Sequence, residues 1–506
     1  LTSEEIHMLM KLHQKKLYRE ASTQARKLII DFHNELLLFN ILGVCLEQEG
    51  EFNKAADAYR QAIKINPNVP ELQFNLGAML FALNDPEKAI PFYQEAIRLN
   101  NNFTEAYFNL GILLQSQSKF SDAIEQYNKA LNIQPGFFEA ITNIGTIKQL
   151  QGDLDQAIKL FKQSLSLNED AKGHFNIAGA YRNQGNLVLA IKHFKKAVDL
   201  GRREPEFYSD LGDALWHDGQ IKEANDFLNL AVEIDPNHPK ANYQLAVFLY
   251  DNKRFEDAIK CFEKSQFADW QERSLYCLYK LENFELFKQK LLPLTKLKNN
   301  SPFLSTLSAH YAQNFQEADT YQFCPSPLNY VCHQNIPELA ANNFSLVKDL
   351  INDINNEDIG QRKQSRLISG IQSSGNLFQR HEASFQSLKK ALMKVLQNYY
   401  KGIEHDNCEF ARSFPKDLEF SSSWYVKMQS GGHLSSHIHE DGWVSGAVYL
   451  SIPKQKRESN EGAIELSTDG DDYPKLHNNF PKKTILPVAG DVIFFPSSLF
   501  HRTIPF

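Results

Sequence analysis

The chain has 506 residues, 42% hydrophobic and 23% charged, with a formal net charge of −7. Such a length and composition suit soluble globular protein in two or more domains. The acidic balance argues against a general nucleic-acid or membrane-surface role. No apolar run reaches the roughly 18–20 residues that span a bilayer. The six cysteines are scattered without a C-x-x-C pair, which points to a reducing compartment such as the cytoplasm. The chain runs from Leu1 to Phe506 and stops in mid-pattern, so a fragment is expected at both ends.

Internal repetition dominates the first half. Gly43, Gly77, Gly111 and Gly145 are spaced by 34 residues, and after a one-residue deletion the series continues through Ala178, Gly212 and Ala246. Twelve residues past each of these seven positions lies an alanine: Ala55, Ala89, Ala123, Ala157, Ala190, Ala224 and Ala258. Sixteen past lie Tyr59, Tyr93, Tyr127, Phe161, Phe194, Leu228 and Phe262. The pattern predicts helix–turn–helix units in which small residues sit at close helix crossings and a large side chain fills the gap beside them. One unit cannot bury its apolar face alone, whereas stacked units can. The segment resembles the tetratricopeptide repeat over residues 35–268, as seven units, with a partial helical repeat or cap over 1–34 in which Ala21 is in phase.

That resemblance implies a concave face that holds a protein or peptide. Asn75, Asn109, Asn143 and Asn176 recur on the first helix of successive units although asparagine is a poor helix former. In the family such a ladder of amides grips a peptide backbone; the same residues also suit a solvated face or local helix contacts.

Residues 269–340 lose the register. SLYCLYKLENFELFKQKLLPLTKL still reads as helical, and FCPSPLNYVCHQN then breaks the pattern as a linker or wrapped loop. Cys324 and Cys332 are expected to be buried thiols rather than metal ligands. Past residue 340 the texture changes again. Helices are expected near 344–356 and 383–403, and strands at 421–428, 443–452, 462–467, 483–488 and 491–496, which together suggest an α+β domain over 341–506 with an antiparallel sandwich.

Just ahead of the second strand lies GGHLSSHIHEDGWVSG, residues 431–446. Alternate residues of an extended strand share a face, so His437, His439 and Asp441 are able to point the same way. His501 follows DVIFFPSSLF at the far end of another strand. Two ligands from one strand end and a third from a second strand cap one face of a metal ion and leave the other face open, as in non-haem iron(II) oxygenases.

The segments GGHLSSHIHEDGWVSGAVYLSIP and VAGDVIFFPSSLFHRTIP resemble the 2-oxoglutarate- and iron(II)-dependent oxygenases on the double-stranded β-helix, or jelly-roll, fold. They are also similar to aspartyl/asparaginyl β-hydroxylases in the G-x-H-x-x-x-H lead-in and the -IP ending of the next strand. Carried over by position, His437 matches the proximal iron histidine and His501 the distal one, while His439 stands where most relatives have a carboxylate. Two ligand sets stay open: His437, His439 and His501, or His439, Asp441 and His501. Using His437 and Asp441 together needs a sharp loop, because i and i+4 are about 13 Å apart in an ideal strand.

The resemblance further implies iron(II) and 2-oxoglutarate, with Ser445 and Tyr449 in the co-substrate pocket; strand packing is an equal role for Tyr449. His433 and Glu440 are expected to stand outside the ligand set. Relatives hold the far carboxylate of 2-oxoglutarate with a basic residue about ten residues past the distal histidine, and bidentate pairing favours arginine there. This sequence ends five residues after His501, so the domain is expected to be truncated. The expectation is therefore an oxygenase that hydroxylates a protein or peptide delivered by the repeats. The alternative is a repeat scaffold whose jelly roll binds metal without turnover.

Overall fold

The computed structural model describes residues 1–297, 300–356, 359, 361–362, 366–373, 376–440, 442–452 and 460–505. They group into two compact units, Leu1–Glu169 and Asp170–Phe506.

The first unit is built of antiparallel helix pairs. Ser3–Gln14 and Tyr18–Asp31 precede Leu36–Gln48 with Phe52–Ile65, Pro70–Ala82 with Pro86–Leu99, Thr104–Ser116 with Phe120–Ile133, and Phe138–Leu150 with Leu154–Leu167. The predicted crossings are where they were expected. A Cβ added at Gly111 would lie 2.5 Å from Cε1 of Tyr127, and one at Gly145 would lie 2.7 Å from Cε1 of Phe161. The first helix of each pair has no Cβ here because the aromatic of the second helix occupies that volume. Ala55, Ala89, Ala123 and Ala157 are fully buried beside these contacts.

The second unit continues with three pairs, Ala171–Gln184 with Leu187–Leu200, Pro205–His217 with Ile221–Ile234, and Pro239–Asp251 with Phe255–Ser265. Ala190, Ala224 and Ala258 are again fully buried. Helices Trp270–Lys280, Phe284–Thr295 and Pro302–Phe315 follow.

The strand region of the same unit holds β1 (Cys332–Asn335), β2 (Gln361–Arg362), β3 (Leu367–Ser373), β4 (Val426–Leu434), β5 (Val444–Val448), β6 (Ile464–Ser467), β7 (Lys482–Ile485), β8 (Asp491–Pro496) and β9 (Phe500–Thr503). Helix Ala383–Ile403 accompanies them, as does the helical stretch Pro337–Asn356, which is broken at Ala341, Asn342, Asn343 and Phe344. Three antiparallel sheets have the orders β1–β8–β5, β2–β3–β4 and β7–β6–β9. β1 falls in the stretch expected to be a linker: Cys332 pairs with Phe494 and Asn335 with Asp491. Its residues lack the apolar alternation that marks a strand, so only the ladder reveals it.

Two sheets face each other through alternate residues. Ile493 and Phe495 of β8 meet Ile464 and Leu466 of β6 and Ile485 of β7 in one buried cluster, with Leu499 beside them. This is the period-two pattern of a jelly-roll sandwich, one face of each sheet turned to a shared core. β8 is buried on both faces, which explains why DVIFFP is almost continuously apolar. Its buried Asp491 carboxylate is met by His333 at 2.8 Å and by Asn335 Nδ2 at 3.2 Å, both from β1. Among the described residues no helix is long and apolar enough to cross a membrane.

A candidate metal centre of three histidines

β9 brings His501 to the site, paired with Leu466 of β6 on one side. On its other side a single antiparallel bridge joins His501 to His437, with N–H···O distances of 2.9 and 3.1 Å in the two directions. The expected extended strand through His437 and His439 is thus reduced to one bridge. β4 ends at Leu434 and β5 begins at Val444, and His439 reaches the site from the irregular segment between them. Glycine and short polar residues around the histidines favour such a loop over a ladder.

The three side chains converge nonetheless. One ring nitrogen from each of His437, His439 and His501 lies within 4.8 Å of the others. Ring centroids are separated by 4.2 Å for His437–His501, 4.7 Å for His439–His501 and 5.3 Å for His437–His439. His437 and His501 are buried, and His439 is half-buried.

Hydrogen bonds orient two of the rings. His437 Nδ1 lies 2.8 Å from the carbonyl of Ser435. A carbonyl only accepts, so Nδ1 carries the proton and Nε2 keeps its lone pair. His439 Nδ1 lies 2.9 Å from Ser445 Oγ, which in turn is 2.7 Å from Ser497 Oγ. Among the described residues buried His501 Nδ1 makes no hydrogen bond of ordinary geometry, with the Leu499 backbone beside the ring favouring its protonated form. Such partners on ligand histidines fix the tautomer and the ring plane.

Burial holds two of the imidazoles neutral, those of His437 and His501. It pushes His437 down to about 4, assisted by the Arg366 guanidinium and opposed by the Ser435 hydrogen bond. His501 is depressed well below its usual value, first by burial and then by its two histidine neighbours. Neutral imidazoles bind a cation with no proton to displace, and three nitrogen donors on one side suit a divalent first-row metal. The residues present therefore fit a metal ion.

The other expected site residues are distributed as follows. Ser445 supports His439 through its hydroxyl. Tyr449 packs on the sandwich core, and burial raises its phenol well above the usual range. Asp441 lies outside the described residues. His433 bonds the backbone of Gly431 at 3.2 Å. Glu440 turns to the helices, where Tyr250 Oη and Arg273 Nη1 hold it at 2.6 Å each. Arg502 pairs with Glu465 of the neighbouring strand at 2.8 Å. Of the asparagines, Asn143 Nδ2 donates to Tyr127 Oη at 3.2 Å, a contact between successive repeats. Sequence reasoning missed Ser497, although it stands in the quoted motif four residues before His501, and it missed Arg366, Arg273 and Tyr250, which no local pattern ties to the histidines. An open cleft of about 470 Å³ borders the histidine loop, lined by Asp269, Glu272, Ser301, Glu440, Gly442 and Trp443 among others.

Residues 422–506, which contain all three histidines, match the family described as "Putative 2OG-Fe(II) oxygenase". Tetratricopeptide-repeat models match residues 47–84, 70–103, 104–137, 137–203 and 215–271. The chain thus carries tetratricopeptide repeats ahead of a C-terminal segment that matches the 2-oxoglutarate/iron(II) oxygenase family model. Curated relatives include "Small glutamine-rich tetratricopeptide repeat-containing protein 2" of Mycosarcoma maydis, 31% identical over 105 residues, or 21% of this chain and 29% of that protein. The "DnaJ homolog subfamily C member 7 homolog" of Dictyostelium discoideum is 30% identical over 99 residues, 17% of this chain and 18% of that protein. The chain thus spans less than a third of the length of either. Among solved structures, MamA is 29% identical with a TM-score of 0.31, covering 31% of this chain and 93% of that one. YrrB, described as "a TPR protein with an unusual peptide-binding site", is 22% identical with a TM-score of 0.31, covering 38% and 97%.

Proposed function

We propose that this protein is an iron(II)- and 2-oxoglutarate-dependent oxygenase that hydroxylates a protein or peptide side chain, with His437, His439 and His501 as the metal ligands. The observation that carries the reading is the convergence of three imidazoles, two of them buried and neutral, inside the segment that matches the oxygenase family. Bound there, iron(II) supplies with 2-oxoglutarate and oxygen the oxidising power that C–H hydroxylation needs.

The chain's own contribution is placement and exclusion. Ser435 and Ser445 hold two rings by their Nδ1 atoms; the Ser435 carbonyl leaves Nε2 of His437 available to the cation, and His439 offers its Nε2 when Nδ1 donates to Ser445. Phe495 packs against His501, with ring centroids 4.8 Å apart, and Trp424 against His439 at 5.4 Å. These apolar walls keep water from the ligand side. The cleft beside Glu440 and Trp443 opens next to the loop that carries His439. Ser445 and Tyr449 border the strand on which the family places the co-substrate; with Ser445 spent on His439, its role there is indirect. Asp441 is the alternative third ligand. The repeats, with Asn75, Asn109, Asn143 and Asn176 along their first helices, supply the surface for a protein or peptide partner.

The test is succinate formation from 2-oxoglutarate by the whole chain, with iron(II) and without it, alongside His437→Ala and His501→Ala. Turnover that needs iron and disappears in both variants supports the enzyme reading. Iron bound by the native chain but lost in His501→Ala, with no 2-oxoglutarate consumed, replaces it by a metal-binding scaffold.

A further inference from the structure

The loop that carries His439 is gripped from outside the jelly roll. Both oxygens of Glu440, the next residue, are engaged: Oε1 accepts from Tyr250 Oη and Oε2 from Arg273 Nη1, each at 2.6 Å. Tyr250 belongs to helix Pro239–Asp251 and Arg273 to helix Trp270–Lys280. Arg273 is 7% exposed. Its Nε donates to Asp269 Oδ1 at 2.9 Å and to Tyr243 Oη at 3.0 Å, so the guanidinium is fixed before it meets Glu440. A planar fork held at three points positions its partner far better than a lone ammonium would.

We propose that Arg273, acting through Glu440, is a positioning residue for the metal ligand His439. The inference rests on the metal reading above. Consecutive Cα atoms are about 3.8 Å apart across a rigid peptide, so a shift at Glu440 passes to His439 with little loss. Ligand distances must hold to about 0.2 Å. On its far side the His439 ring is held by Ser445, and the Arg273–Glu440 pair supplies the second anchor. A pair this buried is a weak source of net stability but a strong geometric restraint. The consequence is that helices Pro239–Asp251 and Trp270–Lys280, outside the strand region, help to position a ligand of the metal centre.

The experiment is a cobalt(II) titration of the whole chain, followed by the visible d–d absorption, with far-UV circular dichroism to establish that each variant is folded. Arg273→Met is expected to weaken cobalt binding by about 10- to 100-fold, the usual cost of losing a partner that orients a metal ligand, and to alter the d–d band. Glu440→Gln is expected to do the same. Combining the two should cost no more than Glu440→Gln alone, because Arg273 acts through that carboxylate. A role in stability alone lowers the melting temperature but leaves the affinity of the folded protein untouched. Folded Arg273→Met that binds cobalt within twofold of the native chain overturns the proposal, as does a double variant whose losses multiply. Should Arg273→Met not fold, Tyr250→Phe decides: it removes one hydrogen bond from Glu440 and leaves no charge unpaired. About three- to tenfold weaker binding supports the proposal, and unchanged binding overturns it. His501→Ala separates the two ideas, since cobalt binding that survives this change removes the metal reading itself.

Discussion

The imidazole of His437 ties metal binding to acid sensitivity. Its folded value is about 4 against about 6.5 in an unfolded chain. Between those limits the unfolded chain binds more protons, so stability falls as the pH falls. The contribution is complete above about 6.5 and is lost as the pH drops toward 4. For this residue alone the loss amounts to about 3 kcal/mol. His310 is buried, and desolvation lowers it too, against the pull of Asp469, so it adds to the loss with the same sign. A metal-free sample should therefore show a melting temperature that declines steadily from pH 7 to pH 4.5. His437→Asn cannot titrate and should flatten that slope; an unchanged slope in thermal denaturation of the chelated variant would remove His437 as its source. Of the site, the three histidines were legible because H-x-H and a distant F-P-x-x-x-x-H are local patterns. Arg366 and Arg273 were not, since each meets the site across a long separation in sequence that no periodicity records.

Single helix pairs show why repeats are the most readable part of this chain. Each pair solves the same packing problem with the same three positions, so the solution is written many times and chance is averaged out. Gly111 faces Tyr127, whose hydroxyl is tied to Gln115 at 2.8 Å and to Asn143 at 3.2 Å, and whose ring is fully buried. The ring cannot swing aside for a methyl group placed 2.5 Å away. Gly111→Ala gains about 1 kcal/mol of helix propensity but incurs about 1–3 kcal/mol of overpacking. A small net destabilisation follows for alanine and a larger one for valine, which urea unfolding followed by circular dichroism would measure. A valine variant as stable as the native chain would show that the crossing is looser than described. The strands offer a contrast. β8 was recognisable because its residues are apolar on both faces, whereas β1 reads as CHQN and owes its strand to β8 alone. Its pairing is imposed by tertiary context, which overrides propensity in sheets.

At the largest scale, the helices before the strand region and the strands themselves share one compact unit, and the polar contacts between them explain why. Helix Pro302–Phe315 donates from Thr306 Oγ1 to the carbonyl of Ser498 at 2.9 Å, three residues before His501. Asn314 donates to the carbonyl of Pro474 at 2.9 Å and accepts from the amide of Leu476 at 2.7 Å. Tyr276 Oη donates to Asp471 at 2.6 Å, and Asp471 lies 3.3 Å from Arg366. Removing the helices would expose the apolar cover of the strands and leave these groups unpaired, at about 1–3 kcal/mol for each one that stays buried. Such losses, added to the exposed apolar surface, are comparable with the whole stability of an ordinary domain, about 5–15 kcal/mol. A chain of residues 341–506 should therefore fail to fold, although that boundary is where the sequence changes texture and where β1 has already been cut away. A chain of residues 170–506 keeps every one of these contacts and should bind cobalt(II) as the whole chain does. Circular dichroism and a cobalt titration on the two fragments test this directly: cobalt bound with full affinity by residues 341–506 would mean that the helices cover the oxygenase-family domain without supporting it.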